Sequence, residues 1–214
     1  MGGATHKRFA TFFAYLSLML LNSFVTIGVN YYLQLIIVLP LARSGTLFPD
    51  VDHIWKNVKD KTTLNWVINK LIHITGGTHR SRHTHSWDIC ILSNIALSLL
   101  INYLFKINYI TEIDKQISFI ILFGFYSGWV SHLLSDMLSS AGVYLFCWNK
   151  NTIKFVPKKI FGFSFSTGTA WEKFCYSVFG KLNFIFGLLA LFFPLYTNTD
   201  LRVYIIKWLT SILV

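Results

Sequence analysis

The sequence predicts an all-α, polytopic membrane protein with roughly four to five apolar helices. Hydrophobic residues make up 54% of its 214 residues and charged residues only 13%, whereas a soluble domain carries about 25% charged residues. The apolar residues also form runs that are long enough for helices that cross a bilayer. We expect residues 1–214 to form a single membrane-embedded domain, since one domain is the default at this length.

The apolar runs give the elements in order. The first, residues 9–42, is too long for a cleavable signal peptide and predicts one tilted span plus a second short helix, with a break near Gly28 to Asn30. The later spans are predicted at 89–105, 117–137 and 182–196, and an interfacial helix at 201–214. Gly142, just beyond the span at 117–137, suits a left-handed helix cap.

The polar segments between these runs predict the topology. Residues 43–88 and 143–181 are read as two basic loops, whereas the charges of the 106–115 loop cancel. Because basic loops stay on the cytoplasmic side, both should lie at one membrane face, with the 106–115 turn at the other. The formal charge of +10 is interpreted as contact with membrane lipids rather than with nucleic acid, since the lysines are dispersed.

The cysteines indicate no redox role. Cys90, Cys147 and Cys175 are far apart and form no CxxC pair. An odd, scattered set in apolar surroundings argues against a disulfide framework, so we expect small buried side chains.

Six of the seven histidines lie at or beside four short polar motifs, which also hold three of the nine acidic residues. Imidazole and carboxylate are ligands of zinc, manganese and iron, so the motifs predict a metal site at one membrane face. His132 and Asp136 are four residues apart in a predicted helix and share one face. The alternative for this pair is a hydrogen bond at a helix end.

The other motifs carry further candidates. Asp50 and Asp52 follow Pro49 in a predicted turn that can present carboxylates to a cation, or can simply cap a helix. In the stretch 79–86, His79 and His85 are candidate ligands, and Thr84 or Ser86 can cap the next helix. Arg80 or Arg82 can bind a phosphate, although the stretch is also consistent with a solvated basic loop. His6, His53 and Glu172 are weaker candidates, and His73 is interpreted as structural.

The motifs occur in an order that resembles the YdjM-like family, the LexA-regulated, inner-membrane-associated predicted metal-dependent hydrolases of bacteria. The resemblance covers roughly residues 5–175, and no HExxH, GxSxG or P-loop motif competes with it. Its pieces are Leu47-Phe48-Pro49-Asp50-Val51-Asp52-His53, then His79-Arg80 through Thr84-His85-Ser86, then Gly128 through His132-Leu-Leu-Ser-Asp136 to Gly142-Val, and more weakly Trp148, Phe155-Val-Pro157 and Glu172-Lys-Phe174.

The resemblance implies an enzyme of the SOS response in the bacterial inner membrane, with its site facing the cytoplasm. That family is distantly similar to zinc-dependent phospholipase C and P1-type nucleases, which implies hydrolysis of a phosphoester or another anionic or amphipathic ester, a phospholipid included. Zinc is the expected divalent metal and manganese the alternative. The rival interpretation is a non-enzymatic stress-response protein with a structural metal site or a partner-binding role. The predicted catalytic residues are Asp52, Arg80 and Glu172, and the predicted ligands are His6, Asp50, Asp52, His53, His79, His85, His132 and Asp136.

Overall fold

The protein is an all-α membrane protein. The computed structural model describes residues 2–53, 57–58, 62–77, 80–156, 159–160 and 163–197. Within these residues it forms six α-helices, a short 3₁₀ turn at Pro49–Asp52 and two small antiparallel hairpins. The helices are α1 (Gly3–Phe24), α2 (Tyr31–Gly45), α3 (Thr63–Ile74), α4 (Trp87–Lys106), α5 (Glu112–Met137) and α6 (Ala170–Thr197), and the strands are β1 (Val143–Tyr144), β2 (Thr152–Ile153), β3 (Lys159–Ile160) and β4 (Phe163–Ser164).

Four of the described helical segments are long and apolar enough to cross a membrane. Large apolar side chains lie exposed along their outer surfaces, for example Leu99 on α4, as expected where lipid replaces water. The four segments are Tyr31–Asp52, Trp87–Lys106, Glu112–Met137 and Ala170–Pro194.

The predicted break in the first apolar run is confirmed. Helix α1 ends at Phe24, and α2 begins at Tyr31 after a cap by Asn30, whose side chain accepts hydrogen bonds from the backbone N–H groups of Tyr32 and Leu33. This cap satisfies donors that have no partner within the helix. The break lets α1 and α2 pack against each other and against α5.

Helix α5 lies at the centre of the fold and packs against α1, α2 and α4. A Cβ atom at Gly128 would overlap the backbone carbonyl of Ala42, and one at Gly45 would overlap that of Phe125. Small residues at such contacts allow the backbones of two membrane helices to approach closely. The glycines therefore bring the end of α2, and the turn that follows it, against the last three turns of α5.

Two predicted loops contain helices. The segment 143–181 was expected to be a loop, but α6 begins within it at Ala170, where Cys175 and Phe179 are buried with Phe9 of α1. The segment 43–88 contains α3, which begins at a cap from Thr62. The predicted interfacial helix at 201–214 lies outside the described residues. Gly142 has the expected left-handed backbone, with φ of +69°.

Candidate metal centre

Three histidines and two aspartates from four separate segments converge at one end of the helix bundle. His6 comes from the first turns of α1, Asp50 from the 3₁₀ turn, His85 from the loop before α4, and His132 with Asp136 from α5. All are buried except Asp50, whose side chain is 24% exposed. Buried ionisable groups are costly unless they are paired, hydrogen-bonded or bound to a metal, so this cluster is a candidate functional site.

The side-chain atoms that face each other have metal-ligand spacing. His132 Nε2 lies 3.3 Å from His85 Nε2 and 3.5 Å from Asp136 Oδ2, and His6 Nε2 lies 3.4 Å from Asp136 Oδ1. Ligand atoms held about 2.1 Å from a tetrahedral zinc ion are about 3.4 Å apart. Asp50 Oδ1 lies 4.0 Å from the Nε2 atoms of both His85 and His132.

These atoms form two overlapping groups of potential ligands that share His132. One is His6, His132 and Asp136, and the other is Asp50, His85 and His132, and the ligand atoms of each group lie within 4.8 Å of one another. The described residues can therefore hold a metal ion.

The Nδ1 atom of each histidine faces a hydrogen-bond acceptor. His132 Nδ1 lies 2.6 Å from the Thr46 carbonyl oxygen, and His85 Nδ1 lies 3.2 Å from Asp52 Oδ2. His6 Nδ1 lies 2.5 Å from the Ser135 hydroxyl, which donates its own proton to the carbonyl oxygen of His132. These partners assign the ring proton to Nδ1 in all three histidines.

The three Nε2 lone pairs consequently point toward the two groups of potential ligands, which share His132. Lone pairs on two nitrogens at 3.3 Å repel each other, and a cation placed between them converts this repulsion into attraction. Burial lowers the pKa of His6 well below its ordinary value, and the nearby His132 lowers it further although Asp136 opposes the change. The neutral imidazole is the form that binds a metal, so the donor set fits a divalent cation.

Asp52 lies behind His85 rather than beside the Nε2 atoms. Its carboxylate is fully buried and accepts hydrogen bonds from the backbone N–H of Ser81 at 2.6 Å and the hydroxyl of Thr84 at 2.8 Å. The indole of Trp129 donates to the Thr84 carbonyl oxygen and holds the same loop. The sequence predicted Asp52 as a ligand and catalytic residue, but these contacts suit a residue that orients His85 and its loop.

Of the two candidate arginines, Arg80 lies at the site. Its Nη1 atom is 3.5 Å from Asp136 Oδ2, and its side chain is 28% exposed. Arg80 also has φ of +60°, a strained conformation for a residue with a side chain, which persists only where the surroundings impose it. Arg82 instead donates to the carbonyl oxygen of Trp148.

Other predicted site residues make different contacts. Glu172 accepts hydrogen bonds from the backbone N–H groups of Gly2 and Gly168 and from the Thr5 hydroxyl, so it fixes the turn that carries His6. His53 Nδ1 lies 3.5 Å from Asn57 Nδ2, and among the described residues His53 joins neither group of potential ligands. His79 lies outside the described residues.

Sequence reasoning missed two hydrogen-bonding partners of the histidines, the Ser135 hydroxyl and the Thr46 carbonyl. It also assigned a capping role that the side chain of Ser86 does not have. Ser135 lies three residues after His132 on the same helix face, so helical spacing could have identified it. The Thr46 carbonyl is a backbone acceptor, and its sequence carries no signal for that role. Ser86 does occupy the N-cap position of α4, but its hydroxyl donates to the Arg82 carbonyl instead of capping the helix, and Thr84 binds Asp52.

Comparison with known proteins identifies the family. The family model described as YdjM inner membrane protein matches residues 1–210. Searches of curated proteins and of solved structures found no match. Because the family model covers nearly the whole chain, and the four apolar helices agree with its description, this membrane protein belongs to the YdjM inner membrane protein family.

Proposed function

We propose that this chain is a membrane-bound metal-dependent hydrolase that acts on a phosphoester or another anionic, amphipathic ester. The observation that carries the proposal is the pair of overlapping ligand groups, which contain three buried histidines and two carboxylates and share His132, with each ring held by an acceptor at Nδ1. Zinc is the first candidate metal, since nitrogen-rich donor sets with a carboxylate are typical of zinc sites, and manganese is the second.

The partial exposure of Asp50 favours catalysis over a closed structural site. His6, His85, His132 and Asp136 are almost completely buried, as the ligands of a structural metal would be. Asp50, however, is open to solvent and its Oδ1 atom is 4.0 Å from two of the ring nitrogens. A catalytic metal site keeps one such open side for water and substrate.

The residues around this open side suit ester hydrolysis. A bound divalent metal would supply a water of lowered pKa, near ~7, and would stabilise negative charge on a substrate oxygen. In this proposal Asp50 accepts a proton on that side, and the Arg80 guanidinium, whose Nη1 atom lies 3.5 Å from Asp136 Oδ2, binds an anionic substrate oxygen. Asp52 keeps the proton of His85 on Nδ1 and so keeps Nε2 available.

Basic residues support a location of the site at the cytoplasmic face of the inner membrane. Lys7 and Arg8 on α1 and Arg43 in the last turn of α2 line one cavity at the end of the bundle that carries His6. The turn between α4 and α5 is flanked by two lysines, Lys106 and Lys115, and by Glu112 and Asp114, so the charges there cancel. This difference in positive charge between the two ends of the bundle agrees with the positive-inside rule for a multi-pass membrane protein.

The test is turnover by protein purified in lipid nanodiscs, with a generic phosphodiester and with phospholipids as substrates. His85→Ala should remove both bound metal and turnover, whereas His73→Ala, a change of an exposed histidine outside the site, should remove neither. Full metal occupancy without turnover on any substrate would reject the hydrolase and leave the rival, a structural metal site in a partner-binding protein.

A further inference from the structure

Helix α3 has an apolar face with no partner among the described residues. Leu64, Val67, Leu71 and Ile74 recur at helical spacing and are all exposed, Leu71 by 57% and Ile74 by 80%. The opposite face, with Asn65, Asn69 and Ile72, is buried. An exposed stripe of this kind on a helix marks a surface that something apolar covers.

The buried face of α3 fixes the helix to the end of the first candidate span. Asn69 Nδ2 donates to the carbonyl oxygens of Val51 at 2.6 Å and of His53 at 2.8 Å, where the 3₁₀ turn ends. Ile72 packs with Val51 beneath it. The helix is therefore held rigidly against the turn that carries Asp50.

The start of α3 lies close to the polar end of α2. A cavity of about 230 Å³ is lined by Leu64 and Asn65 of α3 together with Ser44 of α2 and Phe125 of α5. Ser44 follows Arg43, a residue type that marks the end of a span at the polar headgroups. The start of α3 thus lies beside the last turn of α2 and the middle of α5, and its buried face is bound to the turn that ends the first candidate span.

We propose that α3 is an in-plane interfacial helix whose face of Leu64, Val67, Leu71 and Ile74 is covered by the lipid of the same bilayer that the spans cross. The two neighbouring candidate spans also expose apolar side chains, such as Ile36 on α2 and Ile121 on α5, and this supports lipid as the occupant. Trp66 and Lys70, with the Lys70 ammonium 5.9 Å from the Trp66 ring centre, have the amphipathic character of residues at the headgroup level. The inference does not depend on hydrolysis at the metal centre.

This placement has a consequence for ligands of the site. Because Asn69 binds the carbonyls on either side of Asp52, the lipid-covered helix and the Asp50 turn form one unit. The open side of the metal centre then lies near the bilayer surface, where amphipathic molecules concentrate.

The test must report local depth, because the spans retain the protein in the membrane whatever α3 does. Cys90, Cys147 and Cys175 are replaced by alanine, and one nitroxide label is attached at Leu71→Cys in nanodiscs. Leu99→Cys on the outer surface of α4 serves as the lipid control, and Glu112→Cys at the exposed start of α5 as the water control. Collision with oxygen, which enters lipid, is compared with collision with a polar nickel chelate.

The oxygen-to-nickel collision ratio at Leu71 should exceed that at Glu112 by roughly threefold or more, because an interfacial helix buries its apolar face about 5–10 Å into the headgroup boundary. A ratio equal to that of Glu112 would show a water-exposed helix and overturn the proposal. Shielding from both reagents would show that protein covers the face and would overturn it equally. If the Leu71→Cys variant differs from its parent in gel-filtration profile or thermal midpoint, the measurement is repeated with Ile74→Cys.

Discussion

Asp52 Oδ2 lies 3.2 Å from His85 Nδ1, and this contact decides which nitrogen of His85 faces the metal centre. The carboxylate accepts a hydrogen bond from the Nδ1–H group, so the Nε2 lone pair faces His132 Nε2, 3.3 Å away. The same oxygen holds the loop through Ser81 and Thr84. These contacts match the arrangement in which a carboxylate supports a histidine ligand, and we propose that Asp52 is a positioning residue.

Asp52→Asn should weaken metal binding without abolishing it. Loss of a carboxylate that supports a histidine ligand typically lowers metal affinity about 10–100-fold. Competition with a chelator of known affinity measures the change in detergent-purified protein. If Asp52→Asn loses all metal, Asp52 is itself a ligand, as the sequence first suggested.

Asp136→Asn should remove the metal altogether, together with any hydrolysis. Its two oxygens face the Nε2 atoms of His6 and His132, and a neutral amide lacks the charge that a divalent ion needs. Glu112→Gln, an exposed change at the other end of the same helix, is the control. The thermal stabilities of Asp136→Asn and of the unmutated protein are compared after chelation. Bound metal then does not contribute to the difference in stability between the two proteins. Full metal content in Asp136→Asn would reduce the His132–Asp136 contact to a structural hydrogen bond.

Glu172→Gln should lower metal affinity through His6. Glu172 fixes the first turn of α1 by accepting from Gly2, Thr5 and Gly168, and hydrogen bonds to a charged group contribute about 1.5–3 kcal/mol. We expect a loss of affinity of about 10-fold or somewhat more. The competing role is that of a catalytic base, and it predicts unchanged metal affinity with a lowered kcat. Affinity and turnover measured on one preparation separate the two roles.

Gly128→Ala should destabilise the bundle and the metal centre together. Its added Cβ would overlap the Ala42 backbone carbonyl and push α2 away from α5. This movement would also displace the Thr46 carbonyl, which orients His132. Changes that overpack a close contact cost about 1–3 kcal/mol. Gly187→Ala is the matched control, because its Cβ would meet only the Tyr15 side chain at an ordinary 3.5 Å. Equal thermal midpoints for the two variants would contradict the close helix contact.

Single cysteines at Asn57 and Lys154 should label from the cytoplasmic side, and one at Asn108 from the other side. Lysine and arginine resist translocation, and the turn between α4 and α5 lacks their excess. A membrane-impermeant thiol reagent applied to intact cells and to inverted vesicles gives the answer in a background without native cysteines. Labelling of all three from one side would rule out the hairpin of α4 and α5 across the membrane.

Local spacing predicted part of the site, and tertiary contacts supplied the rest. His132 and Asp136 follow from helical periodicity, since residues four apart share a face wherever the helix lies. The split between Asp50 as potential ligand and Asp52 as support for His85 does not follow from sequence, because it depends on how one short 3₁₀ turn presents alternate side chains.

The fold shows the same limit. Hydropathy located the candidate spans of α4 and α5, but in the first apolar run the candidate span is the second helix rather than the first, and the start of the last span was predicted too late. Lys173 and Lys181 lower the apolar character of its first turns. The ring centre of Phe179 nevertheless lies 4.5 Å from that of Phe9, and this packing supports those turns as helix. Packing between distant segments thus decided what local composition did not.

The contact between His6 and Asp136 joins the first described helix to the fifth at the point where α1 begins. An ion bound there would cross-link two residues that are 130 positions apart in the chain. Removal of the ion would therefore increase the conformational entropy of the segment that begins α1. The beginning of α1 would then rest on Glu172 and on the packing of Phe9, while α4 and α5 keep their own contacts. Chelation should therefore expose the N-terminal turns to protease before any span loosens, so that this end of the chain reports whether the metal is present.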